Sequence, residues 1–276
     1  MKDIIVLYHA NCTDGFSAAW AAWKKFGETA EYIAMPYKSL PPAGIINKEV
    51  YILDYYFPEE QTKELMETNK QVTGIDHHLT GENVVKLTSN YLFDLNHSGS
   101  VLTWQYFYPD KQVPKLLTHV EDMDLWRFNL PNTREVIAFL DSQPNEFEVW
   151  DKAVELAENN FEDLVNKGKI ICNYQQIVID NIFNNAEEVD FKGHRAYAVN
   201  SPVFISQLGN KLDEKGEIGI VWSENERGIR YSLRSRGDLN VAEIAGGFPQ
   251  GGGHKNAAGF LLEKNSPHPW KNKNEK

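Results

Sequence analysis

Three short apolar runs in the first third of the chain each end in groups that bind cations or move protons. IIVLY (4–8) leads into His9 and, within the same turn, Asp14; VYIL (50–53) leads into Asp54; VTGI (72–75) leads into Asp76, His77 and His78. Carboxylates and imidazoles gathered in one place repel or compete for protons unless cations neutralise them. Oxygen and nitrogen donors without a cysteine quartet suit Mn²⁺, or else Mg²⁺, better than structural zinc. Two such ions about 3.5–4 Å apart activate a water and stabilise both oxygens of an in-line phosphoryl displacement, with a carboxylate at a central strand end as their bridge. Each piece also has a plainer reading. An aspartate after a strand forms turns or caps helices, His9 fits a hydrogen-bonded strand end, and EDMDLW (121–126) fits a solvated acidic turn. Joint occurrence favours a metal centre over these.

For the groups to meet, the three runs must be neighbouring strands of an open parallel sheet, whose ligands collect beyond the carboxyl ends. Continuous apolar runs of this length fit strands buried on both faces. After the first, Phe16, Ala19, Trp20, Trp23 and Phe26 recur at helical spacing and Gly27 follows as a C-cap, so the polar turn joins a strand to a helix with a core face. PKLLTHVED (114–122) predicts a helix with proline in its first turn. Residues 145–186 are charged and largely free of proline, as connecting helices would be. Beyond them RAYAV, EIGIVWS and RGIRYSLRS predict strands of a second sheet, the last two joined by the turn ENERG. The expected class is α/β.

Composition narrows the partners. The 276 residues are 42% hydrophobic and 24% charged, enough for a sizeable core. Twenty-eight basic against 39 acidic residues give a net charge of −11, which argues against coating long double-stranded nucleic acid. A small anionic substrate in a local pocket remains open. No run is long and apolar enough for a membrane span, and the start of the chain is too short and polar for a signal peptide, so no membrane partner and a cytoplasmic setting are expected. Cys12 and Cys172 are the only cysteines, far apart and without zinc-type spacing.

Taken in order, these motifs resemble the DHH phosphoesterase superfamily, two-domain hydrolases of phosphodiesters and pyrophosphates, over about 260 residues. HANCTDGFSAA is similar to its first motif, YILDYYF to the second, GIDHH to the naming motif and HVEDMDLW to the fourth; GGGHKNAAGF (251–260) is similar to the glycine-histidine element of the C-terminal DHH-associated domain. The resemblance implies a parallel-sheet catalytic domain over 1–144, a helical connector over 145–186, a smaller α/β substrate-binding domain over 187–264 and a flexible tail over 265–276, with the active site between the domains. It implies that two divalent ions, Mn²⁺ first and Mg²⁺ second, are held by His9, Asp14, Asp54, His77 and Asp122, with Asp54 bridging. Asp124 is the alternative to Asp122, because the register of the fourth motif is open. Asp76 would orient the histidines, and His78 would meet the phosphate or assist proton transfer. Arg234, Gly252, Gly253 and His254 would bind substrate.

The first motif departs from the family's His-x-Asp-x-Asp-Gly: Cys12 falls where an aspartate belongs, and His9 is displaced by one residue. A thiolate is a poor match for Mn²⁺ or Mg²⁺, so Cys12 is read first as a small apolar packing group, with Asn11 or a water completing the coordination, and second as an alternative ligand. Farther on, successive glycines at 251–253 let backbone N–H groups approach an anion, although a plain glycine turn would read the same. Arg234 and Arg236 alternate on a strand and so share a face. HSGS (97–100) is explained as a helix N-cap, and His119, His194 and His268 are assigned core or surface roles. NCTDG and EDMDLW look most like the oligoribonucleases and cyclic-nucleotide phosphodiesterases of the superfamily. The expected substrate is therefore a short oligonucleotide or linear dinucleotide. A pyrophosphatase or exopolyphosphatase, and a nucleotide-binding protein with an attenuated site, are the alternatives; oligomeric state is open.

Overall fold

The computed structural model describes residues 1–36 and 38–272. The chain divides into two units, Met1–Cys172 and Asn173–Lys276. The first runs β1 (Ile4–His9), α1 (Thr13–Phe26), β2 (Ala30–Met35), β3 (Glu49–Leu53), α2 (Glu59–Thr68), β4 (Gln71–Asp76), α3 (Glu82–Val85), β5 (Asn90–Phe93), α4 (Gly99–Phe107), α5 (Lys115–Asp124), α6 (Thr133–Asp141) and α7 (Phe147–Asn159). α8 (Phe161–Phe183) contains the division.

The five strands form one parallel sheet in the order β2-β1-β3-β4-β5. The three apolar runs become its centre, and Val6, Leu7, Val50, Leu53, Val72 and Ile75 are fully buried, as cover on both faces requires. β2 and β5 escape the sequence reading because they are edge strands, partly exposed and less apolar. The chain leaves β1 toward β2 on one side and returns to β3 on the other. That reversal makes the β1/β3 boundary the switch point of a doubly wound sheet, where ligands collect.

The apolar face of α1 packs as its spacing predicts. Trp20 stacks on Trp104 of α4 at 5.8 Å, and Phe16 meets Trp150 of α7 edge-on at 4.9 Å. Burial of each such ring contributes about 1.5–3 kcal/mol. Trp150, Ala153 and Ala157 of α7 thus belong to the same core as Phe16, and the first helix of the charged 145–186 stretch packs with the N-terminal unit.

The second unit runs β6 (Glu187–Phe191), β7 (His194–Asn200), α9 (Ile205–Leu212), β8 (Ile218–Asn225), β9 (Gly228–Ser235), α10 (Val241–Gly246), β10 (Gly252–His254), β11 (Ala257–Leu262) and β12 (Lys271–Asn272). Its sheet order is β10-β11-β9-β8-β7-β6-β12, with only β7 and β8 parallel. α10 packs Val241 and Ala245 with Tyr231 and Phe260, while α9 packs Leu208 and Leu212 with Val199 and Val221. Within 265–272, which the sequence reading takes as flexible tail, His268 Nδ1 lies 2.8 Å from the Tyr231 hydroxyl, its ring stacks on Trp270 at 4.4 Å, and Lys271 pairs with Asp190. Two aromatic anchors hold down a segment whose composition is otherwise polar. Residues 273–276 of that tail lie outside the described residues. No helix among the described residues is long and apolar enough to cross a membrane.

Candidate metal centre

β1, β3 and β4 end in register, Tyr8 beside Leu53 and Leu53 beside Ile75, so His9, Asp54 and Asp76 emerge along one edge of the sheet. Asp54 takes a left-handed backbone (φ 53°), a conformation aspartate tolerates better than most residues, with its amide donating to Ile75 O at 2.8 Å. Its side chain is 1% exposed, with Oδ1 3.2 Å from His77 Nε2 and Oδ2 3.4 Å from His9 Nδ1. Cys12 Sγ lies 3.7 Å from the same Oδ2. The thiol therefore faces a carboxylate, where the packing reading expects apolar neighbours. Asn11 is exposed and supplies the left-handed turn (φ 55°) before it.

Asp14 sits buried in the first turn of α1, and its carboxylate accepts from the backbone N–H groups of Gly99 (2.7 Å) and Ser100 (3.0 Å). Those are free donors at the start of α4, where the helix dipole also favours an anion. HSGS does cap that helix, the Ser98 hydroxyl accepting from Val101 N at 3.4 Å. Its second service, holding Asp14, was missed in the sequence. The available signal was the glycine: a Cβ at Gly99 would stand 2.5 Å from Asp54 Cβ. Asp76 accepts from the amide of His77 (2.8 Å) and from the amide and Nδ1 of His78 (3.3 and 2.7 Å), which fixes the His78 ring and directs its Nε2 away from the carboxylate.

Of the two aspartates that the fourth motif offers, Asp124 is the one that lies in the cluster. Asp124 Oδ2 lies 3.5 Å from His77 Nε2. Asp122 is instead turned inward, accepting from Asn129 N (2.8 Å), Leu130 N (3.2 Å) and the Thr133 hydroxyl (2.5 Å), while His119 Nδ1 bonds the same hydroxyl at 3.0 Å. Asp122 ties the end of α5 to the start of α6 and does not join the cluster.

Donor atoms converge in overlapping sets, each within 4.8 Å: Asp54, Asp76, His77 and His78; His9, Cys12 and Asp54; and Asp14, His77 and Asp124. His9 Nδ1, Asp54 Oδ1, Asp76 Oδ2 and His77 Nε2 are buried without a hydrogen-bond partner. Orphaned buried atoms of this kind are costly. The charges within the cluster are equally unbalanced. Burial opposes ionisation of Asp54, but His77, His9 and His78 overcome it and hold the carboxyl at about 2. Burial and then the charge of Asp54 push Asp124 up to about 6 and raise Asp14 as well. His77 is held protonated up to about 9, because Asp54, Asp124 and Asp14 outweigh its burial. Protons do here what a cation would do better, so the donor set fits divalent ions.

Similarity to known proteins agrees with this chemistry. Residues 189–275 match the DHHA1 domain. Over 285 aligned residues the chain is 32% identical to uncharacterized protein R106 of Acanthamoeba polyphaga mimivirus, covering 94% of this chain and 67% of that protein. The chain belongs to the DHH phosphoesterase superfamily. It is also 24% identical over 266 residues to a 3',5'-cyclic-nucleotide phosphodiesterase of Helicobacter pylori (79% of this chain, 75% of the relative). It shares the fold of a pGpG-specific phosphodiesterase from Vibrio cholerae, with a TM-score of 0.53 at 13% identity over 95% of this chain and 94% of that one.

In the DHHA1 region, Arg234, Ala257 and His254 form one row across β9, β11 and β10. Arg234 donates to Leu233 O and the Ser206 hydroxyl, both at 3.0 Å, and burial lowers its pKa. Among the described residues no carboxylate lies within ion-pairing distance of it. Arg236 differs, being paired with Asp213 and Glu214. Gly253 (φ 143°) has its own packing reason, since a Cβ there would stand 2.5 Å from Ala257 O; at Gly252 a Cβ would meet nothing within 4 Å.

Proposed function

We propose that this protein is a divalent-cation-dependent phosphodiesterase of short oligonucleotides or linear dinucleotides, with manganese as the working ion and magnesium as the alternative. The carrying observation is the buried carboxylate and imidazole cluster around Asp54, with its four unpartnered donor atoms. When bound, such ions neutralise charge on the phosphoryl oxygens and lower the pKa of water. His9, Asp14, Asp54, His77 and Asp124 hold them. His78, oriented by Asp76, presents Nε2 to a phosphate oxygen or protonates the leaving oxygen. Arg234, His254 and the backbone of Gly252 and Gly253 bind a terminal phosphate. The names of two similar proteins, a cyclic-nucleotide phosphodiesterase and a pGpG phosphodiesterase, point to the same substrate class. The net charge of −11 favours short substrates over long duplexes.

The test is release of mononucleotides from a 5'-phosphorylated dinucleotide with Mn²⁺, beside inorganic pyrophosphate and polyphosphate. Manganese-dependent release from the dinucleotide is expected. Preferential cleavage of pyrophosphate or polyphosphate would move the assignment to that chemistry, and nucleotide binding without turnover under any divalent ion would contradict it.

A further inference from the structure

The two oxygens of Asp54 face unlike company. Oδ1 lies toward His77, whose Nε2 also approaches Asp14 and Asp124, a set offering only oxygen and nitrogen. Oδ2 lies toward His9 Nδ1 at 3.4 Å and Cys12 Sγ at 3.7 Å, and these three residues form a separate convergent set. The sulfur is not placed alone. Asp54 is 1% exposed, and the Nδ1 of His9, which faces the same Oδ2 as the sulfur, is buried without a hydrogen-bond partner, so an unpaired imidazole nitrogen stands on the side of Asp54 that Cys12 borders.

Sulfur changes what such a position selects. Thiolate is a soft ligand that strengthens binding of zinc and its borderline neighbours, whereas carboxylate and imidazole serve manganese and magnesium as well. We propose that the two cation positions are chemically unlike: His9, Cys12 and Asp54 form a thiolate-containing position for a thiophilic divalent ion of the zinc, iron(II) or cobalt(II) kind, and Asp14, His77 and Asp124, with Asp54, take a hard ion. The inference rests on the metal-dependent reading above and adds that the pair is mixed. As the sulfur–metal bond forms, the S–H bond breaks and its proton leaves to solvent, so no oxidant or reductant is required.

Cobalt(II) titrated into the chelator-stripped 276-residue chain tests this without an activity readout. A thiolate-to-cobalt charge-transfer band in the near ultraviolet is expected in the wild type and is lost in Cys12→Ser, while the visible d–d absorption persists. In equimolar zinc and manganese the wild type should retain both, and Cys12→Asp should shift the ratio toward manganese by roughly 10- to 100-fold, the scale on which ligand environments act. Thermal melts of both variants check folding, and the wild-type spectrum decides even if they fail. Cobalt d–d absorption without a charge-transfer band overturns the inference and leaves the metal-dependent reading standing. Failure to bind cobalt, zinc or manganese at all overturns both.

Discussion

Asp54 and Asp122 are both buried carboxylates at the ends of regular elements, at 1% and 4% exposure, yet their surroundings are opposite. Asp122 is saturated: two backbone amides and a threonine hydroxyl donate to it, and His119 backs that hydroxyl. Asp54 keeps an oxygen without a hydrogen-bond partner in a neighbourhood of imidazoles, a thiol and other carboxylates. A saturated buried acid contributes stability; an unsaturated one among ligating groups is suited to a cation. Satisfaction of donors and acceptors, more than burial or charge, separates the structural acid from the candidate ligand.

The contrast can be broken by exchanging losses. Asp54→Asn, which keeps a residue tolerant of the left-handed backbone, should reduce turnover by roughly 10³-fold, about 4 kcal/mol of barrier, while the metal-free melting temperature changes little. Comparable activity in that variant would remove Asp54 from the centre. Asp122→Ala should do the reverse. Its loss strands the Thr133 hydroxyl and two amides, and the urea midpoint should fall by the equivalent of about 2–3 kcal/mol with divalent affinity unchanged. Asp124→Asn should weaken divalent affinity by roughly 10- to 100-fold in calorimetric titration. An equal loss in Asp122→Asn would favour Asp122 as the fourth-motif ligand instead.

The smallest effect concerns pH. Burial opposes ionisation of Asp122, but Thr133 and the amides of Asn129 and Leu130 outweigh it and hold its carboxyl below the ordinary range. Because the folded value is depressed, this stabilisation is complete above the unfolded pKa of about 3.9 and drains away as the pH falls through the folded value. The stability gap between wild type and Asp122→Ala in urea should therefore stay constant near neutrality and narrow on acidification below about pH 4. A gap that widens in acid would contradict the hydrogen-bonding account.

How much could be read in advance follows from the same residues. The central strands and the convergence of His9, Asp54 and His77 were legible, because continuous apolar runs and the strand-end rule need no tertiary information. Asp124 was not separable from Asp122. The two sit on one helix about 200° apart, so they face different ways, and only the packing of α5 against α6 decides which one looks inward. The placement of Cys12 was not legible for a related reason: its type suggested packing, while its direction depends on the left-handed turn at Asn11. The hold of α4 on Asp14 spans 85 residues and left only the small residues of HSGS as its trace.

The most direct measurement is anomalous diffraction from crystals of the full chain grown with manganese at saturation. The account predicts manganese contacting Asp54, with Asp14, His77 and Asp124 around it and Asp122 remote. Absence of manganese from Asp54 under those conditions, or an ion held by Asp122, would contradict it.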